Sequence, residues 1–326
     1  MKPSIYITRK IPDNALQLLK NECNVTMWDE EDIPVPKEVL EEKIATVDGL
    51  FSMLTDSIDE SLIEKGNKLK VISNLAVGFN NIDIKAATEK GIMVTNTPGV
   101  LTEATADLTF SLLMATARRI PEASEFVRTG EWKSWSPMLL TGQDVYGATI
   151  GIIGMGRIGE AVARRAMGFN MNILYHNRTR KIEAEETLGA SYVDLDTLLA
   201  QSDYVVLLAP FTEQTRNLIA RRELDLMKSS AILINVARGG MVNEQDLYDA
   251  LHNRQIWGAG LDVFEHEPVP LNHPLLTLPN VIVLPHIGSA SISTRIKMAE
   301  VAATNLIQGL NGQIPACLVN RELVEN

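Results

Sequence analysis

The segment "ATIGIIGMGRIGEAVARRAMGF", residues 148–169, joins an aliphatic run to an amphipathic helical pattern through Gly154-x-Gly156-x-x-Gly159. A turn of this kind between a strand and a helix is built to hold pyrophosphate. Gly154 permits the tight turn, Gly156 lets phosphate approach the backbone, and Gly159 lets the helix pack on the strand. The helix N-terminus adds free N–H groups and the positive end of a dipole. The bland alternative is a glycine-rich turn without a ligand; the strand–turn–helix context favours a dinucleotide. The next strand, "MNILYHN", runs into "NRTRK". A ribose-binding acid usually falls about 20 residues beyond the glycines, and Asn177 stands there instead. Asn177 removes a carboxylate that would repel a 2′-phosphate, and Arg178 and Arg180, flanking Thr179, offer charge-assisted bonds to one. NADP is therefore the expected cofactor, with NAD as a second. A solvated basic turn is the competing explanation.

Three further residue types able to do chemistry follow, at the ends of predicted strands: Arg238 in "NVARGG", Glu267 in "LDVFEHEP" and His286 in "LPHIGSA". Open α/β sheets place their ligand crevices at such ends. Taken singly, each has an ordinary explanation: a surface ion-pair arginine, a glutamate ending a strand before Pro268, and a satisfied loop histidine after Pro285. Together, behind the glycine loop, they form a candidate catalytic set. His176, His252, His266 and His273 read as structural or solvated, and His266, adjacent to Glu267, is the most misleading of them. No spacing of His, Cys and carboxylates suggests a metal site.

The elements that must position these residues alternate. "SIYITR", "VTMW", "GLFSM", "KVISNLA" and "IMVTN" read as buried strands separated by helical segments such as "PKEVLEEKIATV", the pattern of a parallel sheet covered by helices. Pro98 and Gly99 close that unit. A helix is expected over 102–120, with Thr102 as its cap and Pro121 as its stop; its apolar content suggests burial between two units. The irregular "TGEWKSWSPMLLTGQDVYG" follows. A second alternation, "ATIGIIG", "MNILYHN", "DYVVLLAP", "AILINVA", "IWGAGLDVF" and "NVIVLPH", is richer in Val, Ile and Leu, as in a central sheet buried on both faces. The last helix, in "SASISTRIKMAEVAATNLIQGL", returns to the first unit. The expected architecture is α/β with two doubly wound parallel-sheet domains: residues 1–98 plus 287–326, and an inserted domain over 99–286.

At 326 residues, 45% apolar and 5% aromatic, the chain can bury sizeable aliphatic cores. Its net charge of −11 argues against a nucleic-acid partner, which calls for a basic face. Cys23 and Cys317 show no disulfide or metal spacing and read as inert thiols of a reducing compartment. Neither a signal peptide nor an apolar run of membrane-spanning length, about 18 residues, is evident. The expectation is a cytoplasmic protein without a membrane partner.

"GIIGMGRIG", "NVARGGMV", "GLDVFEHEP" and "LPHIGSAS", with "NLAVGFNNID" upstream, resemble the D-isomer-specific 2-hydroxyacid dehydrogenase family over essentially the whole chain. Within it the chain most resembles the glyoxylate/hydroxypyruvate reductases, including 2-ketogluconate reductases. The resemblance implies a Rossmann dinucleotide-binding domain inserted into a flavodoxin-like substrate domain, a small 2-keto or 2-hydroxy acid substrate, and a homodimer. It implies that Arg238 holds the substrate carboxylate in a bidentate fork and polarises the keto group. It makes His286 the general acid and Glu267 the group that fixes its tautomer and favours its charged form. The backbone at Val77 and Gly78 is implied as a second holder of the carboxylate. Arg157 and Ile158 inside the glycine turn, Pro210, Ala237, and Thr105 and Asp262 near the nicotinamide end complete the implied cofactor set. Trp132 and Trp135 fall where the family packs one subunit on another, and Trp135 is a candidate substrate contact across that interface. Closure between the domains is also implied.

Two competing readings remain at this point. One is a family member acting on another substrate, such as D-lactate, phosphoglycerate, formate or phosphite, with NADH; Glu267 disfavours formate, where the family pairs the histidine with Gln, and Asn177–Arg178 disfavours NAD-specific members. The other is a non-catalytic dinucleotide sensor like the C-terminal-binding corepressors, for whose partner segments the short polar "NRELVEN" leaves little room.

Overall fold

The computed structural model describes residues 1–325. The chain divides into two compact units, one made of Met1–Leu101 and the chain from Ala290 onward, the other of Thr102–Ser289.

In the first unit, β1 (Ser4–Ile7), β2 (Asn24–Met27), β3 (Gly49–Ser52), β4 (Val71–Asn74) and β5 (Met93–Thr95) form one sheet in the order β2-β1-β3-β4-β5. Every pair is parallel, giving the flavodoxin-like order. Strand side chains alternate between two cores. Leu50, Ile72 and Val94 pack with Ile44, Leu62 and Ile63 on one face. Ile5, Ile7, Phe51 and Val71 pack on the other with Leu19 and with Ala299, Ala302, Ala303 and Leu306 of the C-terminal helix Ile292–Leu310.

In the second unit, β6 (Thr149–Ile153), β7 (Asn172–His176), β8 (Ser191–Tyr192), β9 (Tyr204–Leu207), β10 (Ile232–Asn235), β11 (Gly258–Leu261) and β12 (Val281–Val283) form a seven-stranded sheet ordered β12-β11-β10-β9-β6-β7-β8. This is the Rossmann order extended by one strand, and the chain reverses direction across the sheet between β6 and β9. β9, β10 and β11 are buried at every position, which explains why Asn235 is the single polar amide among their otherwise apolar residues. Tyr204, Val206, Ile232 and Ile234 meet the helices Thr102–Ala117 and Arg157–Met167 on one face. Val205, Leu207, Leu233 and Ala259 meet Leu195–Gln201 and Glu244–His252 on the other.

The helix expected over 102–120 ends at Ala117, and Pro121 does not stop it but sits in the first turn of a second helix, Ile120–Arg128. Proline is tolerated there because the N–H it lacks has no intrahelical acceptor. The break falls at Arg119, which adopts a left-handed φ of 53°. Its guanidinium holds both carboxylate oxygens of Glu122 at 2.8 and 2.6 Å. The two-residue β8 escaped the sequence reading because it is short and exposed. The segment over 131–147 is irregular, as its composition indicated. Among the described residues no helix is long and apolar enough to cross a membrane. Burial pushes the Cys23 thiol up to about 11.

The sequence "GAGL" of β11 reflects the helix above it. A Cβ on Gly260 would lie 2.7 Å from Leu112 Cγ and 2.9 Å from both Ile234 Cδ1 and Thr116 Oγ1. Gly260→Ala is expected to destabilise the protein by about 1–3 kcal/mol through overpacking. Urea unfolding checks this, and an unchanged midpoint would show that the helix yields freely.

Candidate active site

The glycine turn follows β6 at the point where the strand order reverses, the usual ligand crevice of an open α/β sheet. Gly154 has φ +107°, and a Cβ there would lie 2.4 Å from Ala209 N; one on Gly159 would lie 2.3 Å from the Gly154 carbonyl oxygen. Both glycines are needed for close backbone approach. A Cβ on Gly156 would meet nothing within 4 Å, so that side of the turn is open. Gly156 caps the helix Arg157–Met167 without a side-chain bond, which leaves the helix N–H groups to a phosphate. Arg157 is exposed and Ile158 half-buried at its start. The residues present fit a dinucleotide.

Asn177, just beyond β7, is tied to this turn. Its Oδ1 accepts from Met155 N at 2.7 Å and its Nδ2 donates to Met155 O at 3.3 Å. Arg178 and Thr179 are exposed beside it. Arg180 is already engaged: Nε and Nη2 donate to the two oxygens of Glu185 at 2.7 and 2.6 Å. Glu185 also accepts from Tyr175 Oη at 2.7 Å. The Arg180 guanidinium, then the Tyr175 hydroxyl, hold the Glu185 carboxyl down at about 2.

Arg238, Asp262, Glu267 and His286 lie beyond the carboxyl ends of β10, β11 and β12. His286 Nδ1 and Glu267 Oε2 are 2.7 Å apart, with the two side chains 23% and 26% exposed. The other Glu267 oxygen accepts from Phe264 N at 3.0 Å. Burial pushes the Glu267 carboxyl up, but the His286 bond and charge, the Phe264 N–H and the Arg238 charge outweigh it, and the net shift is down. A carboxylate can only accept, so His286 Nδ1 carries a proton and Nε2 is the nitrogen that can exchange one. Burial pushes the Arg238 guanidinium down, opposed by the charge of Glu267; an arginine nonetheless stays cationic.

The loops are drawn together by backbone. A Cβ on Gly239 would lie 1.8 Å from Phe264 C, so only glycine lets the Arg238 loop touch the segment leading to Glu267. Asp262, 1% exposed, accepts from Ile287 N at 2.7 Å and Gly288 N at 2.8 Å, while its carbonyl accepts from His286 N at 2.9 Å. Burial raises its carboxyl above the ordinary range despite those donors. Asn235 was not singled out from the sequence. It accepts from Ala237 N at 3.1 Å and donates to Arg238 O at 3.0 Å, so it shapes the turn that carries Arg238. A buried Asn closing the apolar run "AILIN" was the available signal.

Thr105 is buried near the start of its helix. Its methyl, Val236 and Asp262 Oδ2 lie 3.2–3.5 Å from where a Gly288 Cβ would sit, so Thr105 and Asp262 share one corner. Ala237 is buried, and Pro210 is exposed after β9. Val77 and Gly78 belong to the first unit, in the loop after β4. His266 is exposed; it is His286 that pairs with Glu267. His273 bonds Glu244 at 3.0 Å, His252 stacks on Tyr248, and His176 bonds Val193 O at 3.0 Å. Trp132 and Trp135 are exposed. Among the described residues no group of three His, Cys, Asp or Glu could hold a metal ion.

Residues 110–288 match the family model of the D-isomer specific 2-hydroxyacid dehydrogenase, NAD binding domain. The chain is 52% identical to a glyoxylate reductase of Thermococcus gammatolerans, over 100% of this chain and 98% of that one. It is similar to a crystal structure of a protein from Thermus thermophilus, with TM-score 0.91 and 44% identity over 97% of this chain and 99% of that one. It is also similar to an NADPH-dependent glyoxylate/hydroxypyruvate reductase from Sinorhizobium meliloti in complex with NADP and malonate, with TM-score 0.87 and 33% identity over 100% and 99% of the two chains.

The lowered pKa of Glu267 fixes the sign of a pH effect. Its contribution to stability is full above the unfolded value, about 4.3, and is lost as pH falls through the lower folded value. The stability gap between the parent protein and Glu267→Gln is therefore expected to narrow between neutral pH and about pH 3. Urea denaturation at constant ionic strength checks it; a gap independent of pH would contradict the assignment.

Proposed function

This chain belongs to the D-isomer-specific 2-hydroxyacid dehydrogenase family, and from that premise we propose that it reduces glyoxylate and hydroxypyruvate, and also 2-ketogluconate, to D-2-hydroxy acids with NADPH as the preferred reductant and NADH as the second. That it is an enzyme reducing keto acids with a nicotinamide dinucleotide follows from its family and its glyoxylate reductase relatives. The observation that carries the finer reading is the 2.7 Å His286–Glu267 bond beside a half-buried Arg238.

In this reading the reduced nicotinamide supplies the hydride that arrives at the keto carbon. Arg238 grips the substrate carboxylate with two parallel N–H bonds and draws electron density from the adjacent carbonyl. His286 delivers a proton from Nε2 to the carbonyl oxygen, leaving a neutral imidazole whose Nδ1 proton stays on the Glu267 bond. Glu267 stays ionised throughout and holds the ring in one orientation through the Nδ1 bond. Gly154, Gly156, Arg157, Ile158 and Gly159 hold the pyrophosphate, and Thr105, Pro210, Ala237 and Asp262 line the way to the nicotinamide end.

The preference for NADPH rests on the turn after β7. Asn177, not a carboxylate, follows β7 and is spent on the glycine turn, and Arg178 is exposed. Since Arg180 is held by Glu185, Arg178 with Thr179 carries most of the phosphate recognition and Arg180 joins only by sharing its carboxylate partner. A homodimer is part of the proposal: Ile120, Val127, Trp132, Trp135 and Met138 expose large apolar side chains within one stretch of chain, more than an isolated surface usually leaves uncovered.

The reading is tested by following NADPH and NADH consumption with glyoxylate. NADPH is expected to give a kcat/KM at least about tenfold higher, since one charge-assisted phosphate bond is worth roughly that. Arg178→Gln is expected to lower the NADPH value about tenfold with little effect on NADH, and Arg180→Gln to change it less. Equal use of both dinucleotides would overturn the cofactor assignment. Separately, His286→Gln is expected to lower kcat/KM by about 10²–10⁴-fold without weakening dinucleotide binding; retained turnover would remove His286 from the mechanism.

A further inference from the structure

In the loop after β4, three successive carbonyls are held by groups of the first unit. Thr97 N donates to Ala76 O at 2.8 Å, Asn96 Nδ2 to Val77 O at 2.8 Å, and Asn74 Nδ2 to Gly78 O at 3.0 Å. A trans peptide is planar, with its C=O and N–H pointing in opposite directions. Fixing these three carbonyls toward Asn74, Asn96 and Thr97 therefore turns the N–H groups of Val77, Gly78 and Phe79 away from them.

The side chains that do this are themselves held. Asn74 is fully buried, and its Oδ1 accepts from Ser52 Oγ at 3.1 Å while its Nδ2 also reaches Asn81 Oδ1 at 3.1 Å. Asn81 in turn donates to Met53 O at 3.1 Å and Asp56 O at 3.0 Å. Asn96 is anchored by its backbone, its N–H donating to Cys317 O at 3.3 Å and its carbonyl accepting from Asn305 Nδ2 at 3.2 Å. A buried amide such as Asn74 is costly unless its bonds are made, and the half-buried Asn81 and Asn96 make theirs as well. Here they are spent on orienting a loop that packing alone would leave free to rotate its peptide planes.

We propose that Asn96 and Asn74 are positioning residues that aim the Val77, Gly78 and Phe79 N–H groups at the carboxylate of a small 2-keto acid. The inference rests on the proposed reading of a 2-keto acid substrate and adds Phe79 N–H and the two asparagines to the Val77–Gly78 contact. Both asparagines act through the backbone and touch no reacting atom.

Asn96→Asp tests it, because the change keeps the shape but replaces a donor to Val77 O with an acceptor that repels it. KM for glyoxylate is expected to rise about tenfold or more, with kcat and KM for NADPH within about threefold of the parent values, and the dissociation constant of oxalate to rise in parallel. Asn96→Ala, which removes the donor without adding a charge, is expected to show the same split and is read instead if Asn96→Asp does not fold. A merely structural role would lower the urea midpoint or shift both KM values together, and either of those results, or an unchanged KM for glyoxylate, overturns the proposal. If the parent protein turns over no 2-keto acid, the functional reading fails. Oxalate then decides the inference: binding weakened tenfold by Asn96→Asp sustains it, and no binding by the parent overturns it.

Discussion

Asp262, buried just beyond β11, ties the end of that strand to β10 and to the loop after β12. Its two oxygens take the N–H groups of Ile287 and Gly288, its carbonyl takes that of His286, and its own N–H goes to Asn235 O at 2.9 Å. These bonds join the end of β11 to the last residue of β10, whose side chain shapes the Arg238 turn, and to the loop after β12 that carries His286. They also offset a local cost. His286 has φ 55°, a left-handed conformation that a non-glycine residue adopts at roughly 1–3 kcal/mol. Two charge-assisted bonds to its neighbours, each worth about 1.5–3 kcal/mol, are enough to hold it there. In that conformation its ring reaches Glu267. A side chain without an acceptor at position 262 would leave the N–H groups of Ile287 and Gly288 without these partners.

A second constraint is steric. The Arg238 loop and the segment entering Glu267 touch through backbone at Gly239, where any Cβ would collide. The same device recurs at the glycine turn, where Gly154 meets the loop after β9 and Gly159 meets Gly154. In both places a side chain has been given up so that two loops can come within backbone contact. The candidate side chains Arg238, Glu267 and His286 then sit at fixed spacing on the carboxyl edge of one parallel sheet. The proposed dinucleotide holders occupy the half around β6 and β7, and the proposed proton and carboxylate chemistry occupies the half around β10 to β12.

Much of this was legible in the sequence. Alternating apolar runs gave every long strand and both parallel sheets, most clearly β3, β4, β9, β10 and β11, which are buried on both faces. The glycine turn was legible because its spacing stands between a strand and a helix, and Gly154 and Gly159 each answer a steric need while the side of Gly156 is open. Less was readable where partners are chosen in three dimensions. The basic run at 178–181 looked like a cluster of available charge, yet Arg180 is neutralised by Glu185 one turn into the next helix. The helix break at Arg119 was missed because Pro121 is an equally good helix start. Asn235, Asn74 and Asn96 passed unnoticed because a lone asparagine carries no periodic signal; its importance appears only when the backbone group it bonds is known.

Glu267 accepts from His286 Nδ1, and the proposed proton transfer depends on that bond leaving Nε2 as the nitrogen that exchanges with substrate. The direct measurement is ¹⁵N NMR of the labelled imidazole of His286, read where the ring is neutral. Nδ1 is expected to be the protonated nitrogen and Nε2 the bare one, with that preference lost in Glu267→Gln. A neutral ring protonated on Nε2 in the parent protein, or a preference unaffected by Glu267→Gln, would contradict it.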